Sequence, residues 1–537
     1  MTWPKWVIDF VHLTPWTRGA AAAFGGVLFA IGYVFPALHL SAWIAVVPLL
    51  LSIEGVRGRA AYFYGLTFGV VAFALGANWI YNFLQLFKEY GAVRASVFSA
   101  MFWVYHAQVP ALVALSYTLV RRRTSLPDLL TFPICLTAVF SLVPMLFTMQ
   151  LAVSQAPFLT AIQGLAITGP WGLDAVMGLS AILAVSAMSG ALSRRGATVA
   201  IGIISVWFVY GIGAKAYWSR IQDTGAPVAV GLLQTNLEPV AGRAKVTPGF
   251  VRAFPPEMEM TERLVAAGAE LVIWPEARYK GYLDNPRTAD AFRRQVDGLN
   301  THLLFQDIGN ASIDGRLLYN KAIVINPEGE AIGEHAKVKL IPFGEALPFG
   351  RESPAVSALL KRFFQGLYRE IVPGEGPTLV EIEGERGRFQ VAPLICFESV
   401  FPIFGAMAVP NEPTRMILVG IVNDGWFGPT AAPYQHRASS ALRAVENRTP
   451  LIIAMNNGPS AIFMPNGEMR FSAQLDEAGG YRVDVPVHDQ AGTSFFSRHP
   501  HVFVSAVRIG FVAMLILAFA PQRLRTRIMP MPVANAR

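Results

Sequence analysis

The chain has 537 residues, of which 53% are hydrophobic and only 15% charged, and its mean hydropathy is +0.41. Soluble globular chains average about a quarter charged residues, so the composition excludes an ordinary soluble protein and a disordered chain, and two cysteines exclude a disulfide scaffold. The formal charge of +8 is unevenly distributed, because residues 214–500 carry a net −3 and the remainder a net +11. This distribution indicates a membrane protein with basic loops rather than a nucleic-acid-binding protein.

Apolar stretches in the two ends of the chain are predicted to form about eight transmembrane helices, since one span needs roughly 20 mostly apolar residues. The stretches are 19–35, 37–53, 60–80, 96–120, 128–148, 172–192, 197–213 and 502–520. The first two share a turn at Pro36 and are individually short. No small-residue cleavage site follows the first stretch, which predicts a retained helix rather than a signal peptide.

Arginines and lysines predict how the chain is oriented in the membrane. Basic clusters follow the second, fourth, sixth and eighth stretches and precede the first, whereas the alternate short loops carry only Lys88 and Arg94. Because basic loops stay on the cytoplasmic side, both termini are predicted to be cytoplasmic. The predicted parts are a membrane domain over 1–213, an outer domain over 214–500, and a final helix with a basic tail over 501–537.

Cys396 is the one cysteine of the predicted outer domain, since Cys135 lies within the fifth apolar stretch. The outer compartment is oxidising, and a cysteine there without a partner is a candidate reactive thiol. The alternative is that Cys396 is a small buried core residue.

Three segments of the outer domain end an apolar run with a reactive side chain. Leu271–Ile273 leads to Glu276, the strand-like run 322–326 precedes Lys337, and 391–395 leads to Cys396. Each residue alone could be an ordinary core or surface side chain. Together they supply a nucleophilic thiol, a base and a cation for an oxyanion, which predicts acyl transfer through a thioester.

The order of these motifs resembles that of the carbon–nitrogen hydrolase (nitrilase) superfamily. Together with the apolar frame, the chain resembles the apolipoprotein N-acyltransferase family of bacterial inner membranes over roughly residues 20–520. The similar motifs are Trp274-Pro275-Glu276, Lys337 with Pro342-Phe343-Gly344-Glu345, Cys396-Phe397-Glu398, Asn423-Asp424-Gly425-Trp426-Phe427-Gly428, Gln435-His436 and Asn456-Asn457-Gly458.

The resemblance implies a helical membrane bundle of about eight spans and an α/β, nitrilase-like α-β-β-α sandwich outside the membrane. It also implies that Cys396 is the nucleophile, Glu276 the general base and Lys337 the stabilising lysine, which stands eight residues before Glu345. Glu345 and Glu398 match further acidic positions of the family. Asn320 matches an asparagine beside the site, and the backbone N–H of Phe397 is expected in the oxyanion hole. Family members usually have tyrosine at the position of Phe397.

The implied activity is transfer of a fatty acyl chain from a phospholipid, through a Cys396 thioester, to the free α-amine of the diacylglyceryl-cysteine of apolipoproteins. The implied partners are a phospholipid donor, a diacylated lipoprotein and the bilayer, with no nucleic acid, and the protein is expected to be a monomer of the inner membrane with a periplasmic catalytic domain. No cofactor or metal is expected, since no second His or Cys stands at ligand spacing from His436. A membrane-tethered amidase, or transfer to another amine, is the alternative.

Residues 356–370 carry apolar side chains at helical spacing with basic residues beside them. This pattern predicts an amphipathic helix that either lies in the membrane interface or packs on the domain core. In the first case it would be a movable lid over the site, with Phe363 and Phe364 in the outer leaflet.

Overall fold

The computed structural model describes residues 14–239, 245–276, 282, 285–310, 317–347 and 371–521, and the single positions 355, 358, 359 and 362. The predicted lid, with Phe363 and Phe364, therefore lies outside the described residues apart from three positions. The chain forms two compact units. One comprises Met1–Tyr81, Ala92–Gly213 and His499–Arg537, and the other comprises Asn82–Gly91 and Ala214–Arg498.

The first unit is helical in its described part. Its described helices are α1 Pro15–Val34, α2 Ser41–Ile53, α3 Gly58–Gly76, α4 Trp79–Leu86, α5 Ala92–Arg123, α6 Asp128–Leu142, α7 Leu151–Ser154, α8 Leu159–Ile162, α9 Leu165–Thr168, α10 Pro170–Met188, α11 Arg194–Ile221 and, near the C-terminus, α17 Val502–Phe519. Two of them, α4 and α11, continue into the second unit. Helices α3 and α5 approach closely at Gly65, where a Cβ atom would lie 2.5 Å from the carbonyl oxygen of Pro110.

Six described helices, α1, α3, α5, α10, α11 and α17, are long and apolar enough to cross a membrane. Helices α2 and α6, with 13 and 15 residues, are shorter than the stretches predicted for them. Pro36 opens a separate 3-10 turn before α2 begins at Ser41. Val143, which precedes Pro144, is extended with ψ 121° and ends α6, because a residue before proline disfavours the helical conformation.

Two six-stranded sheets form the centre of the second unit, in the orders β12-β1-β2-β3-β4-β5 and β11-β10-β9-β8-β7-β6. The strands are β1 Ala226–Gln234, β2 Leu271–Ile273, β3 His302–Asn310, β4 Leu318–Ile325, β5 Ala331–Ala336, β6 Val380–Gly384, β7 Gly387–Ile395, β8 Met416–Val422, β9 Leu451–Met455, β10 Ala461–Phe463, β11 Met469–Ser472 and β12 Gly479–Val487. Strands β1–β3 run parallel to one another, as do β7–β9.

The two sheets pack face to face around one apolar core. Val230 and Ile273 of the first sheet and Val391 and Leu418 of the second belong to the same buried cluster. A second cluster, containing Trp274, lies between the other face of the first sheet and two helices. Further helices in the described part of this unit are α12 Pro256–Ala266, α13 Pro286–Asp297, α14 Pro402–Met407, α15 Ala432–Asn447 and α16 Phe495–Arg498.

Helix α15 covers the second sheet, as its buried Ala441 and Ala444 join the central core. The layers are therefore helix, sheet, sheet and helix, which confirms the predicted α-β-β-α sandwich. Burial on both faces explains why β2, β8 and β9 are continuous apolar runs rather than alternating ones.

Candidate active site

The three predicted catalytic side chains come from three strand ends and meet in the second unit. Glu276 follows β2, Lys337 follows β5 and Cys396 follows β7. The Nζ atom of Lys337 lies 3.7 Å from Oε1 of Glu276, and the Cys396 thiol is close enough to the Glu276 carboxylate for each group to shift the pKa of the other. The strands come from both sheets, so the face-to-face packing of the sheets creates the contact.

Two further predicted residues, Asn320 and Glu345, fix the acidic group and the lysine relative to each other. The Nδ2 group of Asn320 donates to Oε1 of Glu276 at 2.8 Å and to Oε1 of Glu345 at 3.3 Å. The fully buried Lys337 donates to Oε1 of Glu345 at 2.8 Å. The other Glu345 oxygen accepts the backbone N–H of Ile341 at 2.9 Å. Glu345 therefore orients Lys337, while Asn320 links both carboxylates.

Burial and charge set the protonation states of this group. Burial raises the pKa of Glu276, and the nearby Lys337 cation opposes that rise. Burial and the Glu276 carboxylate raise the pKa of the Cys396 thiol well above its ordinary value. Burial lowers the pKa of Lys337, but the two carboxylates outweigh it and raise the pKa overall. These shifts favour a protonated lysine and a protonated thiol beside the Glu276 carboxylate, which is consistent with the predicted role of Glu276 as the base for the thiol.

Glu398 holds the turn on which Cys396 lies. Its carboxylate is fully buried and accepts the backbone N–H groups of Ile395 at 2.8 Å, Val338 at 2.5 Å and Lys339 at 3.2 Å. His335 bonds the same carboxylate through Nε2 at 2.8 Å. One side chain thus connects the strand before Cys396 with the segment after Lys337.

Cys396, the predicted nucleophile, has a left-handed backbone with φ +50°, a conformation that costs a non-glycine residue about 1 kcal/mol. The 3-10 turn Cys396–Val400 follows it directly. The ring of Phe397 packs edge-on against Phe401, with centroids 4.8 Å apart. The role of the Phe397 N–H in an oxyanion hole stays a prediction.

The structure adds a pair that the sequence analysis did not place in the site, His436 and Asp424. His436 donates through Nδ1 to both Asp424 oxygens at 3.0 Å and through Nε2 to the carbonyl of Cys396 at 3.1 Å. Burial lowers the pKa of His436, but the Asp424 carboxylate and these bonds outweigh it and raise the pKa overall. The Ser399 hydroxyl also lies 3.0 Å from Nε2, so His436 joins the Asp424 carboxylate, Ser399 and the carbonyl of Cys396 in one network.

Cys396, Asp424 and His436 also offer ligand atoms within 4.8 Å of one another. Sequence spacing missed this group because Cys396 and Asp424 lie in two separate turns and His436 lies in helix α15. Both ring nitrogens of His436 already bond Asp424 and the Cys396 carbonyl. The geometry observed for these three residues is therefore that of a hydrogen-bonded network.

Comparison with known proteins places the chain in a family. The carbon–nitrogen hydrolase model matches residues 253–489, which contain the whole site. The model of the apolipoprotein N-acyltransferase N-terminal domain matches residues 25–183. The chain belongs to the apolipoprotein N-acyltransferase family.

Relatives within this family match over most of their length. The apolipoprotein N-acyltransferase of Geobacter metallireducens is 29% identical over 511 residues, which cover 93% of this chain and 94% of that protein. The apolipoprotein N-acyltransferase of Chlorobaculum tepidum is 26% identical over 538 residues, which cover 93% of this chain and 96% of that protein. Among solved structures, a nitrilase-superfamily amidase from Nesterenkonia AN1 has 19% identity and a TM-score of 0.35, covering 49% of this chain and 92% of the amidase.

Proposed function

We propose that the protein transfers a fatty acyl chain from a phospholipid, through a thioester on Cys396, to the α-amine of the diacylglyceryl-cysteine of apolipoproteins. The family membership and the names of the full-length relatives support this activity. The observation that carries it in this chain is the convergence of three strand ends on one site, where Lys337 lies 3.7 Å from the Glu276 carboxylate and that carboxylate raises the pKa of the Cys396 thiol.

In the first half-reaction, Glu276 takes the proton of the Cys396 thiol as the sulfur attacks the ester carbonyl of the donor. Lys337 and backbone N–H groups, including that of Phe397, stabilise the oxyanion of the tetrahedral intermediate. The protonated Glu276 then gives its proton to the departing glycerol oxygen. Lysophospholipid leaves, and the acyl group stays on sulfur.

In the second half-reaction, the acceptor amine attacks the thioester carbonyl. Glu276 accepts the amine proton, and the sulfur departs as a thiolate that regains its proton from the same carboxyl group. This ping-pong order lets one base serve both steps, which fits a carboxylate whose pKa is raised by burial.

The acceptor decides between this proposal and the alternative, a membrane-tethered hydrolase. Water in place of the amine would release a free fatty acid from the same thioester. The helical unit favours a lipid substrate, since a hydrolase of soluble amides needs no apolar frame.

We further propose an inner-membrane location with both termini cytoplasmic, the unit containing residues 214–498 in the periplasm, and a monomeric state. The support is the distribution of basic loops. The catalytic thiol would then draw its acyl group from the outer leaflet.

The test uses the purified full-length protein with labelled phospholipid and a diacylglyceryl-cysteinyl lipopeptide. We expect N-acylated lipopeptide as the product, and no product when the peptide amine is blocked. Cys396→Ala, Glu276→Gln and Lys337→Met should each reduce turnover by at least about a thousandfold. Free fatty acid as the sole product would instead identify a hydrolase.

A further inference from the structure

Residues 82–91 lie in the sequence between two apolar helices of the first unit, yet they are part of the second unit. The segment contains the end of α4 and the loop before α5. From the sequence alone, its Lys88 is simply a basic residue in a short loop between two apolar stretches. Its contacts within the second unit give it a more specific role.

Lys88 binds the turn that carries Glu345. Its Nζ atom donates to the carbonyl oxygen of Phe343 at 2.7 Å. Phe343 is left-handed, with φ +60°, and its own N–H donates to the carbonyl of Ala346 at 2.7 Å. Glu345 lies inside this tight turn and orients Lys337 at 2.8 Å. Lys88 thus bonds the backbone of the turn whose Glu345 side chain orients Lys337.

Two aromatic residues of the same segment contact the turn that carries Asp424. Phe83 stacks on Phe427 with centroids 5.4 Å apart. Phe87 meets Trp426 edge-on at 4.8 Å. Both partners lie in the 3-10 turn Asp424–Phe427, whose Asp424 bonds the His436 that supports the Cys396 carbonyl.

The two aromatic contacts and the lysine act together, because Phe83 stacks on Phe87 at 5.0 Å and the Lys88 ammonium lies 4.6 Å from the Phe87 ring centroid. A half-buried ammonium that bonds a carbonyl and an aromatic face has fewer rotamers available than a solvated one. Its bond to Phe343 is therefore a fixed restraint on the turn.

We infer that residues 82–91 are part of the catalytic site and that Lys88 is a positioning residue, which holds the Glu345 turn and through it Lys337. This inference rests on the proposed function only for the roles of Glu345 and Lys337. It makes the alignment of the catalytic lysine depend on a segment encoded within the membrane half of the sequence.

The test compares Lys88→Met, which keeps the aliphatic stem, with Lys88→Arg, which keeps a donor. Lys215→Met is the matched control, since Lys215 is also half-buried in the second unit. The rate of Cys396 acylation is followed by intact-protein mass in single turnovers. Two donors are used, phospholipid in mixed micelles and a short soluble p-nitrophenyl ester.

We expect Lys88→Met to slow saturated acylation about tenfold with both donors, because small displacements of a catalytic group reduce rate strongly. The half-saturating donor concentration should stay within about twofold of wild type. Lys88→Arg should recover most of the rate, and Lys215→Met should match wild type.

Three results would each overturn the inference. They are a wild-type rate for Lys88→Met, a loss confined to the half-saturating concentration of phospholipid, and a loss that Lys88→Arg does not recover. Failure of the proposed function would give a different result, because the wild-type protein would then form no N-acyl product. The soluble ester would still show whether Lys88 affects the rate of Cys396 acylation.

Discussion

Cys396 combines a strained backbone with a thiol that burial keeps protonated. Its left-handed φ of +50° is held from one side by the Glu398 carboxylate and from the other by His436 on its carbonyl. Because burial and Glu276 raise the pKa of the thiol, we expect nucleophilicity to depend on proton transfer to Glu276 rather than on a resting thiolate. In the proposed mechanism, the rate of acylation therefore depends on the protonation state of Glu276.

This dependence predicts two opposite shifts in the pH profile of acylation. The rate falls as Glu276 becomes protonated, and because burial raises the pKa of Glu276, the acid limb lies above the ordinary glutamic acid range. Asn320 lowers that pKa and Glu345 raises it. Asn320→Ala should therefore move the acid limb to higher pH, and Glu345→Gln should move it to lower pH.

The measurement is the rate of Cys396 acylation by a soluble ester between pH 4 and 9. Lys321→Gln, on the same strand as Asn320 but paired with Glu334, serves as the control and should leave the limb in place. Shifts of the same sign in the Asn320 and Glu345 variants would contradict the assignment of Glu276 as the base.

At the scale of elements, the ends of three strands position Glu276, Lys337 and Cys396. The apolar runs before Glu276 and Cys396 predict buried strands, but their roles follow from the resemblance of the motifs to the nitrilase superfamily and not from the local pattern alone. Lys88, in the turn after α4, and His436, on helix α15, contact turns that are distant in the sequence, and no local periodicity encodes such a contact. Hydropathy also overestimated the length of α2, which begins only after the 3-10 turn Pro36–Leu38, and of α6, which ends before Pro144.

Helix α15 offers a stability test away from the reacting atoms. Its buried Arg443 bonds Glu446 at 2.6 Å and donates to the carbonyl of Val400, the last residue of the nucleophile turn, at 2.8 Å. Burial raises the pKa of Glu446 to about 7, against the opposing charge of Arg443. Arg443→Leu leaves a buried carboxyl group without its cation, which costs about 3–5 kcal/mol.

We therefore expect Arg443→Leu to lower Tm by about 5–10 °C. The double variant Arg443→Leu/Glu446→Leu should lose less thermal stability than Arg443→Leu alone, because the buried carboxyl group of Glu446 is no longer present. The comparison is made by thermal unfolding of the purified protein in detergent. A double variant less stable than Arg443→Leu would contradict this account of the pair.

At the scale of the whole molecule, the charge of +8 separates into parts with different roles. The net +11 of residues outside 214–500 lies in short loops and predicts topology, whereas the net −3 belongs to the part with the sandwich fold. The two family models match these two parts of the chain separately, one over residues 25–183 and the other over residues 253–489. The side of the membrane that Cys396 faces determines which leaflet can supply its acyl group.

Cysteine labelling in cells tests this topology. In a background without Cys135 and Cys396, Glu328→Cys lies in an exposed turn of the sandwich and Ser193→Cys in an exposed loop before α11. An impermeant maleimide, added to cells with a permeabilised outer membrane, should label the first and not the second. Labelling of Ser193→Cys before lysis would reverse the predicted orientation.

The proposed thioester on Cys396 is tested most directly by the mass of the peptide containing Cys396 after incubation of the protein with phospholipid alone. We predict one added acyl chain on Cys396, its absence in Cys396→Ala, and its loss as N-acyl product when the lipopeptide is added. Turnover of phospholipid and lipopeptide by an enzyme that never carries an acyl chain on Cys396 would contradict this prediction.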